Sequence, residues 1–397
     1  MTVADRWLLP DGVEELLPEQ AELVEALRRK LLDLYRSWGY ELVIPPLIEY
    51  TESLLVGLGH DIDIQTFKVV DQLSGRTMGI RADITPQTAR IDAHSLNREG
   101  PVRLCYAGSV LHTKPKSLLA SRSPIQVGAE LYGDASLSSD TEIICLMLQT
   151  LQCTGVTNIT LDLGHVGIYR ALVAQAGLEG EAEKALFDAL QRKASADIEM
   201  AINRGIADPV MANMMRALSQ LNGDRSVLTR AAQLLAAAPP AVAAAIADLN
   251  QVADLIAMRM PDVNLYFDLS ELRGYHYHTG LVFAALAPGY GQAVANGGRY
   301  DHIGESFGRA RPATGFNTDL KALLAYVSST VREDENPSIF APADNNLSAE
   351  HALALWQTIQ TLRASGERVV SGLSGQTEAK EYKRRLVLQQ GQWSVQG

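Results

Sequence analysis

Residues 125–132 read Ile125-Gln126-Val127-Gly128-Ala129-Glu130-Leu131-Tyr132. The two-residue side-chain period of a strand puts Gln126, Gly128 and Glu130 on one face and Val127, Ala129 and Leu131 on the other. The strand thus has an apolar back suited to a core and a polar front. A glycine between two polar residues fits the floor of a pocket, where the missing side chain lets a ligand approach the backbone. The Glu130 carboxylate suits an ammonium or imidazolium group. The same alternation also fits a strand whose polar side faces solvent, and periodicity alone does not choose between the two.

Upstream of this strand, Val24, Leu27, Leu31, Leu34 and Trp38 recur at three or four residues and predict a helix over Pro18 to Trp38, ended by Gly39. Tyr40 to Ile44 is a short β-prone run halted by Pro45-Pro46. Phe67 to Asp71 and Thr77 to Asp83 flank a Leu-Ser-Gly-Arg turn and predict a hairpin. Thr85-Pro86 signals a helix start, with the hydroxyl at the N-cap and proline at the first helical position, running to about His94. Val102 to Leu111 reads as a strand joined to 125–132 by a polar loop with Lys114, Lys116 and Arg122. A helix over Asp140 to Gln152 and a strand over Asn158 to Leu163 complete this half. Hairpins outnumber crossover helices, so the sheet is expected to be mainly antiparallel.

Downstream, alanine and leucine dominate from Val166 to Arg259, where helical periodicity is nearly continuous. Strands return at Asn264 to Leu269, Gly280 to Leu286 and Gln292 to Ala295, the last two joined through Pro288-Gly289-Tyr290-Gly291, and a helix starts near Asp319. After a polar linker at Glu333 to Pro337, a helix over Ala349 to Ser365 and a strand over Arg368 to Val370 suggest a small α/β unit. The class is therefore α+β, without internal repeats.

A chain of 397 residues exceeds the ~250–300 residues over which one core usually grows. With 47% hydrophobic and 20% charged residues it has ample material for a folded interior. A net charge of −11 argues against a broad basic surface for nucleic acid. Met1 to Gly12 contains Asp5, Arg6 and Pro10 rather than the apolar stretch of a signal peptide, and the alanine-rich run Ala231 to Leu249 is broken by Gln233 and Pro239-Pro240, so no membrane span and a cytoplasmic location are expected. Cys105, Cys145 and Cys153 lack Cys-x-x-Cys spacing and are expected to be buried and reduced.

Three further stretches carry chemistry. Arg81-Ala82-Asp83-Ile84-Thr85-Pro86 sets an arginine and an aspartate beside a helix N-terminus, a junction able to grip both ends of a zwitterion or simply to cap a helix with an ion pair. Arg273-Gly274-Tyr275-His276-Tyr277-His278-Thr279-Gly280 alternates imidazole and aromatic groups behind a guanidinium. Two histidines at this spacing without a third ligand nearby make a poor metal site. Asn296-Gly297-Gly298-Arg299-Tyr300-Asp301 is a second glycine-permitted close approach with an arginine. Neither a P-loop nor a dinucleotide fingerprint occurs, and no cofactor is implied.

These segments, in this order, resemble histidyl-tRNA synthetase and its relatives, from Leu9 to about Tyr326. Gly39-Tyr40 through Pro45 to Glu49 is similar to the first class II synthetase motif, which in that family forms the dimer interface. Arg81 to Thr85 resembles the segment holding the histidine amino group. Gln126, Gly128 and Glu130 match the strand that contacts bound histidine. Arg273 to Phe283 and Gly297 to Asp301 resemble the two histidine-specific motifs, and Pro312 to Leu320 the last class II motif. The resemblance implies a class II aminoacyl-tRNA synthetase-like antiparallel sheet flanked by helices, with a histidine pocket of Asp83, Thr85, Gln126, Glu130, Arg273 and Tyr277. It further implies a division into 1–177 and 261–330 as two parts of one synthetase-like domain, 178–260 as a helical insertion, and 331–397 as a shortened C-terminal α/β domain.

The departures bear on function. The ATP-binding arginine of the synthetases falls on His112, the acidic residue after it has become Lys114, and the later ATP-clamping arginine falls on Ala322, preceded by Lys321. Neither a neutral histidine nor an alanine supplies bidentate phosphate contacts, so adenylation is expected to fail. His276 and His278 stand where the family usually has aspartate and tyrosine. A relative that keeps the amino-acid pocket, loses the ATP clamps and shortens the anticodon module resembles the regulatory subunits of ATP phosphoribosyltransferase. Membership there implies no catalytic activity of its own, a short-form catalytic subunit as partner, histidine as effector, and a homodimer within a larger hetero-oligomer, without nucleic acid or membrane. The alternatives are a divergent histidyl-tRNA synthetase and a free histidine-sensing protein.

Overall fold

The apolar stripe near the start forms helix α1, Pro18–Ser37, which buries Val24, Leu27, Leu31 and Tyr35. Gly39 follows at φ 83, a left-handed conformation that turns the chain without the strain a Cβ would bring. The computed structural model describes residues 7–55, 60–115, 120–275, 277–327, 338–374 and 382–397. Lys116, His276 and the linker read at Glu333 to Pro337 lie outside the described residues.

Strands β1, Glu41–Leu42, and β2, Ile48–Tyr50, stand on either side of Pro45-Pro46, so the run beginning at Tyr40 contributes only two strand residues. Two short helices, α2 Thr51–Leu54 and α3 His60–Gln65, lead into the expected hairpin of β3, Phe67–Val70, and β4, Thr77–Ile80. β2 pairs with β4, making a three-stranded sheet ordered β2-β4-β3. Helix α4, Thr85–Arg90, passes into a π-helical turn, Ile91–Leu96. Its N-cap is Ile84, whose side chain makes no capping bond, which corrects the expectation for Thr85: that hydroxyl is bonded elsewhere.

β5, Val102–Ser109, and β6, Ile125–Tyr132, form an antiparallel pair, followed by the buried helix α5, Leu137–Cys153, and by β7, Thr160–His165. The helical stretch comprises α6 Val166–Ala176, α7 Gly180–Gln191, α8 Ser195–Gly205, α9 Pro209–Leu218, the two-residue strand β8 Asn222–Gly223, α10 Ser226–Leu234 and α11 Pro240–Arg259. α11 is long and apolar enough to cross a membrane, yet it buries Val242, Ile246, Leu249, Val252 and Ile256 in the protein core. Then come β9 Asn264–Asp268, β10 Leu281–Leu286, β11 Ala293–Arg299, β12 Ala313–Asp319 and the single turn α12, Leu320–Leu323, which Asp319 caps.

The main sheet has nine strands ordered β1-β5-β6-β12-β11-β10-β7-β9-β8. Only β1 with β5 and β7 with β9 run parallel; the other pairs are antiparallel. β11 continues through Asn296-Gly297-Gly298-Arg299, which reads in sequence as a glycine-permitted close approach beyond the strand expected to end at Ala295, and β12 has no aliphatic run to announce it. Both depend on close packing: a Cβ on Gly297 would meet the Gly315 carbonyl and the Phe283 ring.

The chain separates into two compact units, Met1–Val327 and Ser328–Gly397. In the second, β13 Ile339–Ala341, helix α13 Ala349–Ala364, β14 Val369–Ser371, β15 Arg384–Gln389 and β16 Gln392–Gln396 build a sheet ordered β14-β13-β15-β16. Ile339, Ala341, Leu355, Ile359, Val369 and Leu386 form its own core.

Candidate functional site

Glu130 points from β6 into the protein and is 1% exposed. Its neighbour across the sheet is Gly315, and a Cβ there would collide with the Glu130 carboxylate. On the other side Tyr106 of β5 lies opposite Gly128, and a Cβ on Gly128 would run into the Tyr106 hydroxyl. Gly128 therefore makes room for a tyrosine rather than for a ligand, which corrects the sequence reading. The tyrosine fills that space in order to reach Glu130.

Three hydroxyls donate to the carboxylate. Tyr106 gives a bond of 2.9 Å and Thr85 one of 3.0 Å, both to Oε1, and Tyr300 donates to Oε2. Burial pushes the Glu130 carboxyl up to about 8, against the pull of the Tyr300 and Tyr106 hydrogen bonds. Tyr277 stacks on Tyr300 with ring centroids 4.9 Å apart, extending the wall beside the carboxylate.

Gln126 accepts at Oε1 from the Ile84 backbone N–H at 2.8 Å and donates from Nε2 to Asp83 Oδ1 at 3.0 Å. Asp83 Oδ1 also accepts from the Thr85 N–H at 3.0 Å. The aspartate, rather than the threonine hydroxyl, thus serves the first amide of α4. Arg81 departs from its expected role as a zwitterion grip: it is buried and donates to the carbonyls of Ser109, at 2.9 Å, and Pro45, at 2.8 Å. Arg299 is likewise turned inward, held by Asp140 with bonds of 3.1 and 2.9 Å.

Asp83, Thr85, Gln126, Glu130, Arg273 and Tyr277 all line one open cleft of about 1070 Å³. Arg273 is the one arginine among its described lining residues, and its guanidinium pairs with Glu271 at 3.2 Å. His278 donates from Nδ1 to the Arg299 carbonyl at 3.2 Å, and burial lowers its pKa to about 4, so it stays neutral. No cluster of metal-ligating side chains occurs among the described residues.

The cleft continues past Gln126 to His112, Lys321 and Ala322. His112 is buried and bonds through Nε2 to the Ala82 carbonyl at 2.9 Å, while Lys321 reaches Ser123 at 3.2 Å and Glu14 at 3.4 Å. Among the described residues, this end is lined by no guanidinium fork for a triphosphate. Sequence reading missed the parts played by Tyr106 and Tyr300. A signal for Tyr106 was present, since a glycine inside a strand marks a close approach, but its direction follows only from the β5–β6 register.

Two solved structures share this architecture. One, from Bacillus halodurans and described as an ATP phosphoribosyltransferase regulatory subunit/histidyl-tRNA synthetase, matches with a TM-score of 0.80 and 26% identity over 94% of each chain. A histidyl-tRNA synthetase from Nostoc shares the fold with a TM-score of 0.75 at 17% identity, over 96% of this chain and 91% of that one. Fold and pocket thus define the class, a protein built like a class II aminoacyl-tRNA synthetase. Residues 12–323 match the family Histidyl-tRNA synthetase and residues 336–396 the family ATP phosphoribosyltransferase subunit HisZ C-terminal domain, while the ATP phosphoribosyltransferase regulatory subunits of Stutzerimonas stutzeri and Pseudomonas aeruginosa PAO1 are 55% and 56% identical over 100% of this chain and 99% of theirs. The chain belongs to the family of ATP phosphoribosyltransferase regulatory subunits, within the histidyl-tRNA synthetase-like proteins.

Proposed function

We propose that this chain, a non-catalytic regulatory subunit of ATP phosphoribosyltransferase in histidine biosynthesis, binds histidine in the cleft and relays its presence to a separate, short-form catalytic subunit. One observation carries the reading: the amino-acid end of the cleft is fully built around Glu130, whereas its other end presents His112 and Ala322 where the synthetase resemblance calls for ATP-binding arginines. A pocket kept without the groups for adenylation serves recognition rather than catalysis.

In this reading Asp83, Thr85 and Gln126 meet the ammonium group, Glu130 and Tyr277 the imidazole, and Arg273 the carboxylate. Activation without shared chemistry requires a coupling free energy, typically ~1–3 kcal/mol, so the chain must bind the active conformation of its partner more tightly and histidine must weaken that preference. The chain works in the cytoplasm as a homodimer within a larger hetero-oligomer, without nucleic acid or membrane. The exposed Leu42, Ile44, Leu47 and Ile48 support a dimer through residues 39–49. Residues 178–260 act as an insertion between the synthetase-like parts 1–177 and 261–330, and 331–397 as a shortened C-terminal domain.

The test is turnover of a short-form catalytic subunit across a titration with this chain, with and without histidine. Turnover is expected to rise on addition of the chain and to fall again with histidine, and the Glu130→Ala variant should keep activation while losing the histidine response. An unchanged rate at saturation, with no complex by size-exclusion chromatography, rejects the reading. Histidine-dependent pyrophosphate exchange by the chain alone would instead restore the synthetase alternative.

A further inference from the structure

Arg273 faces two spaces. It lines the cleft and also a small recess beside it, walled by Asp162, Glu271, His278 and Asn296. On the recess side Glu271 holds it twice: Oε1 accepts from the Arg273 backbone N–H at 2.7 Å, and Oε2 accepts from Nη2 at 3.2 Å. The Asp162 carboxyl also faces this recess. Burial, together with the nearby Asp268 and Glu271, pushes its carboxyl up to about 7, with Arg273 pulling the other way. The guanidinium that lines the cleft is therefore paired with an internal carboxylate.

We propose that Glu271 sets the affinity and selectivity of the cleft for carboxylate-bearing ligands by competing with them for the Arg273 guanidinium. The inference rests on the reading of the cleft as an amino-acid site. Two geometric facts shape it. First, the side chains of Arg273 and Glu271 are 47% and 23% exposed, so the pair is partly solvated and breakable, unlike the buried Arg299–Asp140 pair. Second, the bond from the Arg273 N–H to Oε1 fixes Glu271 by the backbone, so the carboxylate stays in place when the guanidinium swings into the cleft. A ligand carboxylate must displace Oε2 from Nη2, whereas a ligand without one leaves the pair intact. The competitor thus lowers affinity only for ligands that use Arg273, and it acts through the arginine as a positioning residue.

The experiment is calorimetric titration of the full-length chain with L-histidine and with L-histidinol, which keeps the ammonium and imidazole groups but carries a hydroxymethyl group in place of the carboxylate. Glu271→Gln retains an Oε1 acceptor for the Arg273 N–H and removes the charge. L-histidine is expected to bind about two- to fivefold more tightly to this variant, the scale of a partly exposed ion pair, with L-histidinol unchanged. In an Arg273→Ala background the same substitution should change neither ligand. Glu271→Asp, whose shorter arm withdraws the carboxylate from Nη2, should give the same selective gain at smaller size and serves if the glutamine variant does not fold. An L-histidine affinity unaltered by these variants, or equal shifts for both ligands, overturns the role of Glu271 while leaving the amino-acid site standing. Failure of the unsubstituted chain to bind either ligand overturns both.

Discussion

Glu130 concentrates the physics of the site in one carboxyl group. It is wholly buried, yet its partners are three neutral hydroxyls rather than a cation, so desolvation prevails and the carboxyl is pushed from 4.5 up to about 8. An acid whose pKa rises on folding binds its proton more tightly in the folded protein. Its contribution to stability is therefore fully present below about pH 4.5 and is lost as the pH rises through about 8. Replacing the carboxyl by an amide that cannot titrate should remove this component. Urea unfolding of Glu130→Gln between pH 5 and 8.5 is expected to show a flatter pH dependence than the unsubstituted chain, and parallel curves would mean that the three hydroxyls hold the carboxylate ionised. Asp162 titrates upward for the same reason, so the difference between the two proteins, and not either slope alone, reports on Glu130.

Among elements, legibility followed apolar periodicity. α1, β6, α5 and α13 carry stripes or alternations that specify their faces, and they form close to where the pattern puts them. β12 and the second half of β11 do not, because Gly297, Gly298 and Gly315 are strand residues whose missing side chains admit neighbouring groups, a requirement set by distant segments. The six residues Asp83, Thr85, Gln126, Glu130, Arg273 and Tyr277 do converge on one cleft, but only the β5–β6 register reveals that Tyr106 reaches Glu130, and Tyr300 joins it from the residue after β11. The fate of the arginines was equally hidden: Arg81 and Arg299 turn inward to carbonyls and carboxylates that sequence spacing does not bring together. Arg299 ends β11 immediately before Tyr300, and its pair with Asp140 ties that strand end to α5 at almost complete burial. Removing one partner strands the other charge, a loss of about 3–5 kcal/mol for such pairs. Asp301 and Ser139 also bind the guanidinium, so Asp140→Ala is expected near the lower end, about 3 kcal/mol by urea unfolding, with histidine affinity reduced as Tyr300 loses its anchor. A loss below 1 kcal/mol would show that the remaining partners suffice.

At the scale of the whole molecule, the chain is built on two separate cores. The main core draws its buried residues from Val24 to Leu323 and the small one from Ile339 to Leu386, with no residue common to both. Every cleft residue, from Glu14 to Ala325, belongs to the first unit. The cleft proposed to take the amino acid is thus lined by residues of Met1–Val327, and the hydrogen bonds that join Thr85, Tyr106 and Gln126 to Glu130 and Asp83 lie within that unit. A chain ending at Val327 is therefore expected to fold cooperatively and to bind L-histidine with an affinity within about threefold of the full-length protein, since it keeps its own core and every described residue of the cleft. Circular dichroism melts establish folding, and calorimetry then measures binding. If the truncated chain folds but its affinity drops tenfold or more, the small unit acts on the cleft, and histidine sensing is a property of both units together. If affinity is kept while activation of the catalytic subunit disappears, the two tasks separate: the larger unit senses the amino acid and the smaller one carries contacts on which activation depends.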